Sequence, residues 1–435
     1  MQDTVTSFLT KHRFPLADGG RNIIDTLLSD MRAGLTDPAG AYEDMIPTWL
    51  LPPERASKNE RVIVIDAGGT NFRSCLVSFD GAGTPAISDF RKTVMPGIER
   101  ELTKAEFFGA IADNIDYLKN KADRIGFCFS YAMTITKDGD GIPSAFSKEI
   151  KADAVVGCPV GATLRAELEA RGWNKIRHIA LLNDTVAALL AGAAGTADGV
   201  RYSSYVGFIL GTGMNGAYIQ PEADFGARHV EKQIVVCESG KTGGFARSSF
   251  DEALDAQSQH PGDYQLEKCC SGAYLGALSL QVLRSAAEEG LFSADCAAAL
   301  LRLHELSLIE ADGFLHAPFA AQNPVAWSCQ QAPDAAARDR DRAAAYELID
   351  AVVDRSAWYA ASILTACVIQ SGAGSDPSRP VCLLCNGSTF YKTHKLRARV
   401  EGYLERLLRQ ERALSYEIVS KENDITLGTA IAALA

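Results

Sequence analysis

The sequence has no run of lysine or arginine residues, and its acidic residues outnumber the basic ones to give a formal net charge of −11. Because binding to nucleic-acid phosphates is driven by clustered positive charge, this balance argues against a nucleic-acid partner. The chain also has no apolar run of about twenty residues and no charged-then-apolar segment at its N-terminus. We therefore expect no contact with a membrane and a cytoplasmic location.

Cysteine is present, but not in the spacing of a disulfide framework or a metal site. The eleven cysteines are scattered, and Cys75, Cys128 and Cys237 lie inside apolar, strand-like segments. Cys382 and Cys385 have the spacing of a redox motif, but VCLLCNG reads as an apolar strand without a second pair or a neighbouring histidine. We expect reduced cysteines in the core and no metal bound to them.

The length of 435 residues indicates two domains, because single hydrophobic cores rarely grow beyond about 300 residues. The polar segment PERASKNE, residues 53–60, interrupts the apolar pattern and is a candidate boundary. We predict an N-terminal helical segment (1–57) that belongs to the large domain and a small α/β domain (58–184). The large α/β domain follows (185–420), and a final helix (about 421–435) returns to the small domain.

Two polar residues, Asn183 and Asp184, join the apolar strand HIALL to a helix that the sequence predicts from Thr185. A carboxylate in this place faces the crevice at the carboxyl end of a sheet, where open α/β sheets bind ligands. We predict that Asp184 is a catalytic base. The alternative is that Asp184 only caps the helix, since aspartate is a favoured N-cap residue.

The segment VIVIDAGGTNFR predicts a buried strand, a tight turn and a second strand from Phe72. Gly68 and Gly69 let the backbone of the turn approach a ligand closely, so that its N–H groups can bind phosphate oxygens. Asp66 can reach a magnesium ion through water, and Arg73 can meet negative charge directly. The alternative is a glycine-rich hairpin without a ligand.

A second hairpin of the same kind occurs in SSYVGFILGTGMNGAYIQ, where a strand enters the turn Gly211-Thr212-Gly213 and leaves it as a strand. The repetition indicates an internal duplication of one phosphate-binding hairpin. The spacing of Gly211, Gly213 and Gly216 also satisfies the dinucleotide-binding pattern. That pattern needs a helix to begin in the glycines, whereas AYIQ alternates as a strand and meets Pro221, so we reject it.

Together these motifs resemble those of the hexokinase family. The ordered set covers nearly the whole chain and consists of MIPTW, VIDAGGTNFR, FCFS, FSKEI, LLNDTVAALLAG, FILGTGMN, VCES, PGDYQLEKCCSGAYLG and NGSTFYKTH. The resemblance implies an α/β, actin-like ATPase or ribonuclease-H-type duplicated fold with two domains around a cleft. It also implies ATP-dependent phosphorylation of a hexose on its 6-hydroxyl, with glucose as the expected sugar.

The resemblance assigns roles to the residues that match the family's motifs. Asp184 matches the catalytic base, and Lys148 and Arg73 would stabilise the transferred phosphoryl group. The matched sugar contacts are Ser130, Ser147, Lys148, Asn183, Asp184, Asn215, Glu238 and Glu267. The matched residues of the phosphate turns and the nucleotide side are Asp66, Gly68, Gly69, Thr70, Asn71, Arg73, Gly211, Thr212, Gly213, Gly387, Ser388 and Lys392. Magnesium is expected to be held through the ATP phosphates and through water near Asp66, without direct protein ligands.

The chemistry of the matched residues agrees with a sugar site. Ionised Asp184, Glu238 and Glu267 can accept strong hydrogen bonds from the vicinal hydroxyls of a hexose. Three acids could also bind a metal cluster, but the neighbouring Asn183 and Asn215 supply the donors that a neutral polyol needs. These residue types favour a sugar over a metal.

The chain departs from the family's pattern at several places. Tyr131-Ala132 stands where the family has Phe-Pro, Phe146-Ser147 replaces Trp-Thr, and Ser239-Gly240-Lys241-Thr242 replaces Trp-Gly-Ala-Phe. SKENDITLGTA (420–430) replaces the glycine-rich adenine segment. The departures concern the sugar loop and the nucleotide end, and they leave the matched acids in place.

Three other functions remain open. A sugar kinase or regulator of the ROK type needs spaced cysteine ligands for zinc, which the adjacent Cys269 and Cys270 do not supply. An actin-like ATPase would keep the two hairpins without needing the sugar-binding residues. A non-catalytic sugar sensor would keep the sugar-binding residues but could lose Asp184 or the phosphate turns.

Overall fold

A computed structural model describes residues 2–15, 22–53, 57–144, 146, 150–193, 202–225 and 228–435. The strands are β1 (Ile46–Pro47), β2 (Arg61–Gly68), β3 (Asn71–Phe79), β4 (Pro85–Val94), β5 (Arg124–Phe129), β6 (Met133–Ile135), β7 (Gly141–Pro143), β8 (His178–Leu182), β9 (Ser204–Leu210), β10 (Met214–Gln220), β11 (Ala223–Phe225), β12 (Arg228–Val230), β13 (Gln233–Val236), β14 (Val381–Asn386) and β15 (Tyr416–Val419). The α-helices are α1 (Gln2–Lys11), α2 (Asn22–Thr36), α3 (Lys104–Ile115), α4 (Val160–Ala170), α5 (Asp184–Ala193), α6 (Ser249–Ala256), α7 (Gln265–Cys270), α8 (Leu275–Glu288), α9 (Ala294–Leu301), α10 (Leu308–His316), α11 (Pro324–Gln330), α12 (Ala335–Ser371), α13 (Ser388–Lys392), α14 (Leu396–Leu404) and α15 (Asp424–Ala432).

The first sheet has the strand order β4-β3-β2-β5-β8. Strand β3 pairs antiparallel with β2 and β4, whereas β5 pairs parallel with β2 and β8. Strand β2 is apolar without alternation because both of its faces are covered: Ile63 and Ile65 join the core with α3 and α4, and Val62 and Val64 join the core with α5 and α15.

The second sheet repeats this arrangement, with the order β1-β13-β10-β9-β14-β15. Strand β10 pairs antiparallel with β9 and β13, and β14 pairs parallel with β9 and β15. The hairpin β9–β10 therefore corresponds to the hairpin β2–β3, which confirms the predicted duplicated fold. Because β10 continues as a strand to Gln220, the rejection of a dinucleotide-binding turn is also confirmed.

Helices α5 and α15 lie between the two sheets. Their backbones approach so closely that a Cβ atom at Gly428 of α15 would lie 1.7 Å from the carbonyl oxygen of Ala187 in α5. Their apolar residues form one core with strands of both sheets, including Val64 of β2 and Val236 of β13. The strands of the first sheet come from residues 61–182, but the exact domain boundaries stay a prediction.

Helix α12 is the central helix of the second half of the chain. It is long and apolar enough in part to cross a membrane by length and composition, but 89% of that apolar window is buried inside the protein. Its Arg355 forms a buried ion pair with Asp251 of α6. These contacts identify α12 as a core helix.

The cysteines are unpaired, and all except Cys158 are buried. Cys382 and Cys385 lie in the buried strand β14, as their apolar surroundings indicated. The prediction of free thiols in the core is therefore confirmed.

Candidate active site

The carboxyl ends of β2, β5 and β8 bring the first group of predicted residues together. Ala67 is registered with Phe129, and Cys128 with Leu182, so the three parallel strands end at the same edge. Asp66, Ser130 and the pair Asn183-Asp184 therefore lie along one side of a crevice. The electrostatics agree, because burial and then the charges of Asp66 and Asp184 raise the pKa of the Cys128 thiol that lies beneath them.

Asn183 provides the side-chain cap of helix α5. Its Oδ1 accepts a hydrogen bond from the N–H of Val186 at 2.9 Å, and its carbonyl oxygen accepts from the N–H of Ala187 at 3.1 Å. Asp184 is the first residue of the helix, where a negative charge is favoured by the helix dipole. The capping role considered for Asp184 is thus filled by its neighbour.

The first glycine turn joins β2 to β3. Gly68 and Asn71 face each other across it, and Gly69 has φ +60°, which a two-residue hairpin turn requires and a glycine adopts readily. Thr70 is exposed at the tip. Asp66 of β2 and Arg73 of β3 face each other below the turn, and Arg73 Nη1 donates to Asp66 Oδ2 at 2.7 Å.

This pair places a cation and a carboxylate beside the turn, and the roles of the two residues towards phosphate and magnesium stay a prediction. The described residues contain no group of three or more His, Cys, Asp or Glu side chains that could hold a metal ion.

The second glycine turn joins β9 to β10 and lies against the end of β14. The carbonyl oxygen of Gly211 accepts hydrogen bonds from the N–H of Gly272 at 2.8 Å and from Thr389 Oγ1 at 2.9 Å. Gly387 has φ +118°, and a Cβ atom there would lie 2.1 Å from the carbonyl oxygen of Leu210. Only glycine fits this contact, which brings the start of α13 next to the turn.

The structure thus gathers Gly211, Thr212, Gly213, Gly387 and Ser388 at one edge of the second sheet. Thr212 and Ser388 are exposed there. The exposed Lys392 is the last residue of α13, about 6 Å further along the helix axis by the usual rise.

Asn215, Glu238 and Glu267 form the predicted sugar-binding group of the second sheet. Glu238 follows β13 and has the left-handed backbone conformation, with φ +58°. Asn215 holds it by donating from Nδ2 to Glu238 Oε1 at 2.7 Å. Glu267, in α7, accepts a hydrogen bond from the N–H of Met214 at 2.9 Å, which fixes its carboxylate beside the glycine turn.

The two groups of residues face each other. Burial raises the pKa of Glu238 to about 7; the nearby Lys241 lowers it, and Asp44 and Asp184 raise it. A cavity between the sheets is lined by Tyr131 and Asn183 from one side and by Val236 and Glu238 from the other. Asp184 and Glu238 therefore belong to one site, although different sheets carry them.

Two predicted residues, Ser147 and Lys148, lie outside the described residues. Phe146, directly before them, packs against Tyr131 with ring centroids 5.3 Å apart and against Phe129 at 6.0 Å. Phe146 therefore lies at the carboxyl end of β5.

A larger groove, of about 1700 Å³, lies elsewhere, at the opposite ends of β2 and β9. It is lined by residues such as Lys58, Tyr202 and Arg379, and it contains none of the predicted site residues. The smaller cavity, in contrast, is lined by the predicted site residues Asn183 and Glu238.

Sequence reasoning missed several residues around Glu238. Lys241 Nζ donates to Asp44 Oδ2 at 2.6 Å, and the fully buried Glu43 accepts from Thr242 Oγ1 at 2.8 Å. Burial raises the pKa of Glu43 well above its usual range. The available signals were the charged pair directly before MIPTW and the replacement of an apolar family segment by Lys241-Thr242.

Comparisons with known proteins agree with this geometry. Two hexokinase family models match residues 7–194 and residues 205–435. Hexokinase-1 of Schizosaccharomyces pombe is 30% identical over 288 residues, which cover 62% of this chain and 57% of that protein. Hexokinase-7 of Oryza sativa subsp. japonica is 26% identical over 437 residues, which cover 94% of this chain and 92% of that protein.

The match to the Schizosaccharomyces pombe protein therefore spans little more than half the length of that relative.

Among solved structures, the hexokinase from Schistosoma mansoni complexed with glucose superposes with a TM-score of 0.76 at 22% identity, covering 100% of this chain and 99% of that chain. The likeness confirms the predicted two-domain actin-like fold. The family models together match most of the sequence, and the chain belongs to the hexokinase family.

Proposed function

We propose that this chain transfers the γ-phosphoryl group of ATP to the 6-hydroxyl of a hexose, with Asp184 as the general base. The observation that carries the proposal is the position of Asp184 opposite Glu238. Asp184 follows β8 of the first sheet, Glu238 follows β13 of the second, and Glu238 lines one cavity with Asn183, the residue before Asp184. Because Asn183 supplies the side-chain cap of α5, Asp184 is not needed for that role.

The sugar is proposed to bind between the two sheets. Glu238 and Glu267 can accept hydrogen bonds from vicinal hydroxyls, and Ser130 and the two asparagines Asn183 and Asn215 add polar groups of both kinds. Glucose is the expected sugar, and the solved hexokinase from Schistosoma mansoni complexed with glucose supports this choice. Ser147 and Lys148 are expected to complete the site from the loop after Phe146.

The ATP phosphates are proposed to lie over the two glycine turns, with Gly387, Ser388 and Lys392 on the nucleotide side. Within the described residues, the Asp66 carboxylate accepts one hydrogen bond, from Arg73 at 2.7 Å, and it remains partly exposed. A single carboxylate with room for water fits a magnesium ion that is bound mainly by the phosphates. When bound there, magnesium neutralises charge on the phosphates.

The chain's own residues position the two reactants and accept one proton. The sugar O6 forms a bond to the γ-phosphorus, the bond from that phosphorus to the bridging oxygen of ADP breaks, and the 6-hydroxyl proton moves to the Asp184 carboxylate. Arg73 and Lys148 would stabilise the negative charge of the transferred group. In phosphoryl transfer such positioning and charge neutralisation supply most of the catalysis.

The test is a coupled assay of ADP release with glucose, mannose, fructose, N-acetylglucosamine and no sugar. Turnover that depends on a hexose supports the proposal. Sugar-independent turnover would favour an actin-like ATPase. Sugar binding by calorimetry without any turnover would favour a non-catalytic sugar sensor.

A further inference from the structure

Tyr264 occupies an unusual backbone position at the edge of the proposed sugar site. It directly precedes α7 and has the left-handed conformation, with φ +50° and ψ +43°. A bulky aromatic residue rarely adopts this conformation, and such outliers persist where the surrounding structure enforces them. Glu238, the sugar-binding carboxylate proposed above, is also left-handed. Two strained residues therefore lie at the same site.

The loop before Tyr264 is fixed by a buried lysine. Lys268 Nζ donates to Asp255 Oδ1 at 2.5 Å, to Ser258 Oγ at 2.8 Å and to the carbonyl oxygen of His260 at 2.7 Å. The N–H of Lys268 also donates to the carbonyl oxygen of Tyr264 at 3.0 Å. With its ammonium fully satisfied, Lys268 holds the loop and leaves the Tyr264 backbone little freedom.

The side chain of Tyr264 lies among the acids of the proposed sugar site. Glu267 is three residues further along and shares the first turn of α7 with it, and Lys241 Nζ lies 5.7 Å from the ring centroid. Burial raises the pKa of the Tyr264 hydroxyl; Lys241 lowers it, and Glu238 and Glu267 raise it. All four side chains thus surround one space.

The side chain of Lys241 is held near Tyr264 by local backbone structure and by an ion pair. It ends a 3₁₀ turn that begins after Glu238, and its N–H donates to the carbonyl oxygen of Glu238 at 2.9 Å. Side chains three residues apart eclipse in such a turn. The ion pair with Asp44 at 2.6 Å fixes the ammonium, which lies 5.7 Å from the centroid of the Tyr264 ring.

The Tyr264 hydroxyl makes no hydrogen bond to any other part of the chain that the structure describes, although the ring is partly buried. A partly buried hydroxyl beside two carboxylates that bind a polyol is well placed to bond the polyol itself. We propose that Tyr264 is a specificity-determining residue that hydrogen-bonds one hydroxyl of the bound hexose, with its ring held by Lys241. This inference rests on the proposed function only in taking a hexose as the ligand.

The choice of variants separates the hydroxyl from the ring. Tyr264→Phe removes only the hydroxyl, and Tyr264→Asn removes the ring but keeps a residue that tolerates the left-handed conformation. Tyr416→Phe is the matched control, because Tyr416 lies in β15 at the far edge of the second sheet. Thermal unfolding of each variant verifies that the protein is folded.

The probes are glucose and its 1-, 2-, 3- and 4-deoxy analogues, titrated into the full chain by calorimetry. Tyr264→Phe should weaken glucose binding roughly threefold to tenfold, the usual net value of one hydrogen bond. For the one analogue that lacks the partner hydroxyl, the variant and the wild type should bind equally. Tyr264→Asn should weaken binding further, and Tyr416→Phe should bind like the wild type.

Equal binding of glucose by Tyr264→Phe and the wild type would overturn the inference, and so would an equal loss for every analogue. Because calorimetry does not need turnover, this outcome is distinct from a failure of the proposed reaction. A wild type that binds glucose without releasing ADP would contradict the proposed reaction, but the effect of Tyr264→Phe on glucose binding could still be measured. A wild type that binds no hexose would contradict both.

Discussion

Asn215 binds Glu238 through both ends of its amide group. Its Oδ1 accepts the N–H of Glu238 at 3.0 Å, and its Nδ2 donates to Glu238 Oε1 at 2.7 Å. The first bond holds the left-handed backbone, and the second orients the carboxylate. Asn215 therefore fixes an acid whose ionisation is opposed by burial and by the neighbouring charges of Asp44 and Asp184.

The pH dependence of sugar binding should report this acid. Burial raises the pKa of Glu238 to about 7, and only the ionised form offers both oxygens as strong, charge-assisted acceptors. The dissociation constant for glucose, measured by calorimetry, should rise by up to about tenfold per pH unit below that value. Glu238→Gln should bind weakly with little pH dependence. An unchanged affinity in the wild type from pH 8 to about 5.5 would contradict this assignment.

The same shift has a consequence for stability. Because the folded-state pKa lies above the usual carboxyl range, the unfolded protein ionises Glu238 at lower pH. The free energy of unfolding of the sugar-free protein should therefore decrease as the pH rises towards about 7. The buried Glu43 has a raised pKa as well, so the variant Glu238→Gln is needed to separate the two contributions.

Replacing Asp184 by asparagine should remove the base and keep the shape of the site. We expect kcat to decrease by roughly 10²-fold or more, the usual contribution of general acid–base catalysis, with a much smaller change in sugar binding. Because Asn183 caps α5, the melting temperature should stay close to that of the wild type. Near-normal turnover of the variant would show that another group accepts the proton.

Much of the fold followed from local patterns. The two glycine turns and the strands around them predicted the duplicated sheets, because strand periodicity and turn residues are properties of short segments. Asp184 could be named from its place between a strand and a helix, whereas the resemblance to the hexokinase family named Glu238 and Glu267. The observed sheet order then brings them together.

Other features depend on contacts between distant residues and could not be read from a segment. Asp44 and Lys241 are far apart in the chain, yet the pairing of β1 with β13 places them in contact. Likewise, the cap considered from the sequence was Asp184, whereas the side chain that caps α5 in the structure is that of Asn183. Tertiary packing decides such cases, and a single sequence does not show it.

The buried ion pair of α6 and α12 should be important for stability. Arg355 donates to both oxygens of Asp251 at 2.7 Å, and both side chains are almost fully buried. Asp251→Ala would leave the guanidinium unpaired in the core, so the free energy of unfolding in urea should decrease by about 3–5 kcal/mol. The neighbouring exposed pair of Glu252 and Arg13 is the control, since Glu252→Ala should cost only about 0–1 kcal/mol. Similar values for the two variants would contradict this view of the core.

The last prediction is that sugar closes the cleft between the two sheets. Ser130 and Asp184 follow strands of the first sheet, whereas Asn215 lies in β10 of the second, Glu238 follows β13 of the second and Glu267 lies in α7. A ligand that contacts both groups interacts better with a closed form, and this difference in affinity is what shifts such an equilibrium. Closure would therefore follow sugar binding more than ATP binding.

Closure also has a chemical purpose, because water competes with the sugar as a nucleophile and a site assembled only around sugar protects ATP from hydrolysis. Small-angle scattering should show a smaller radius of gyration with saturating glucose, and little change with ATP alone. Glu238→Ala should reduce the response, because it removes a contact from the second sheet. An unchanged radius at saturating sugar would mean that the site is preformed, even if the transfer reaction is correct, and ATP hydrolysis without sugar would then have to be limited by local positioning of water.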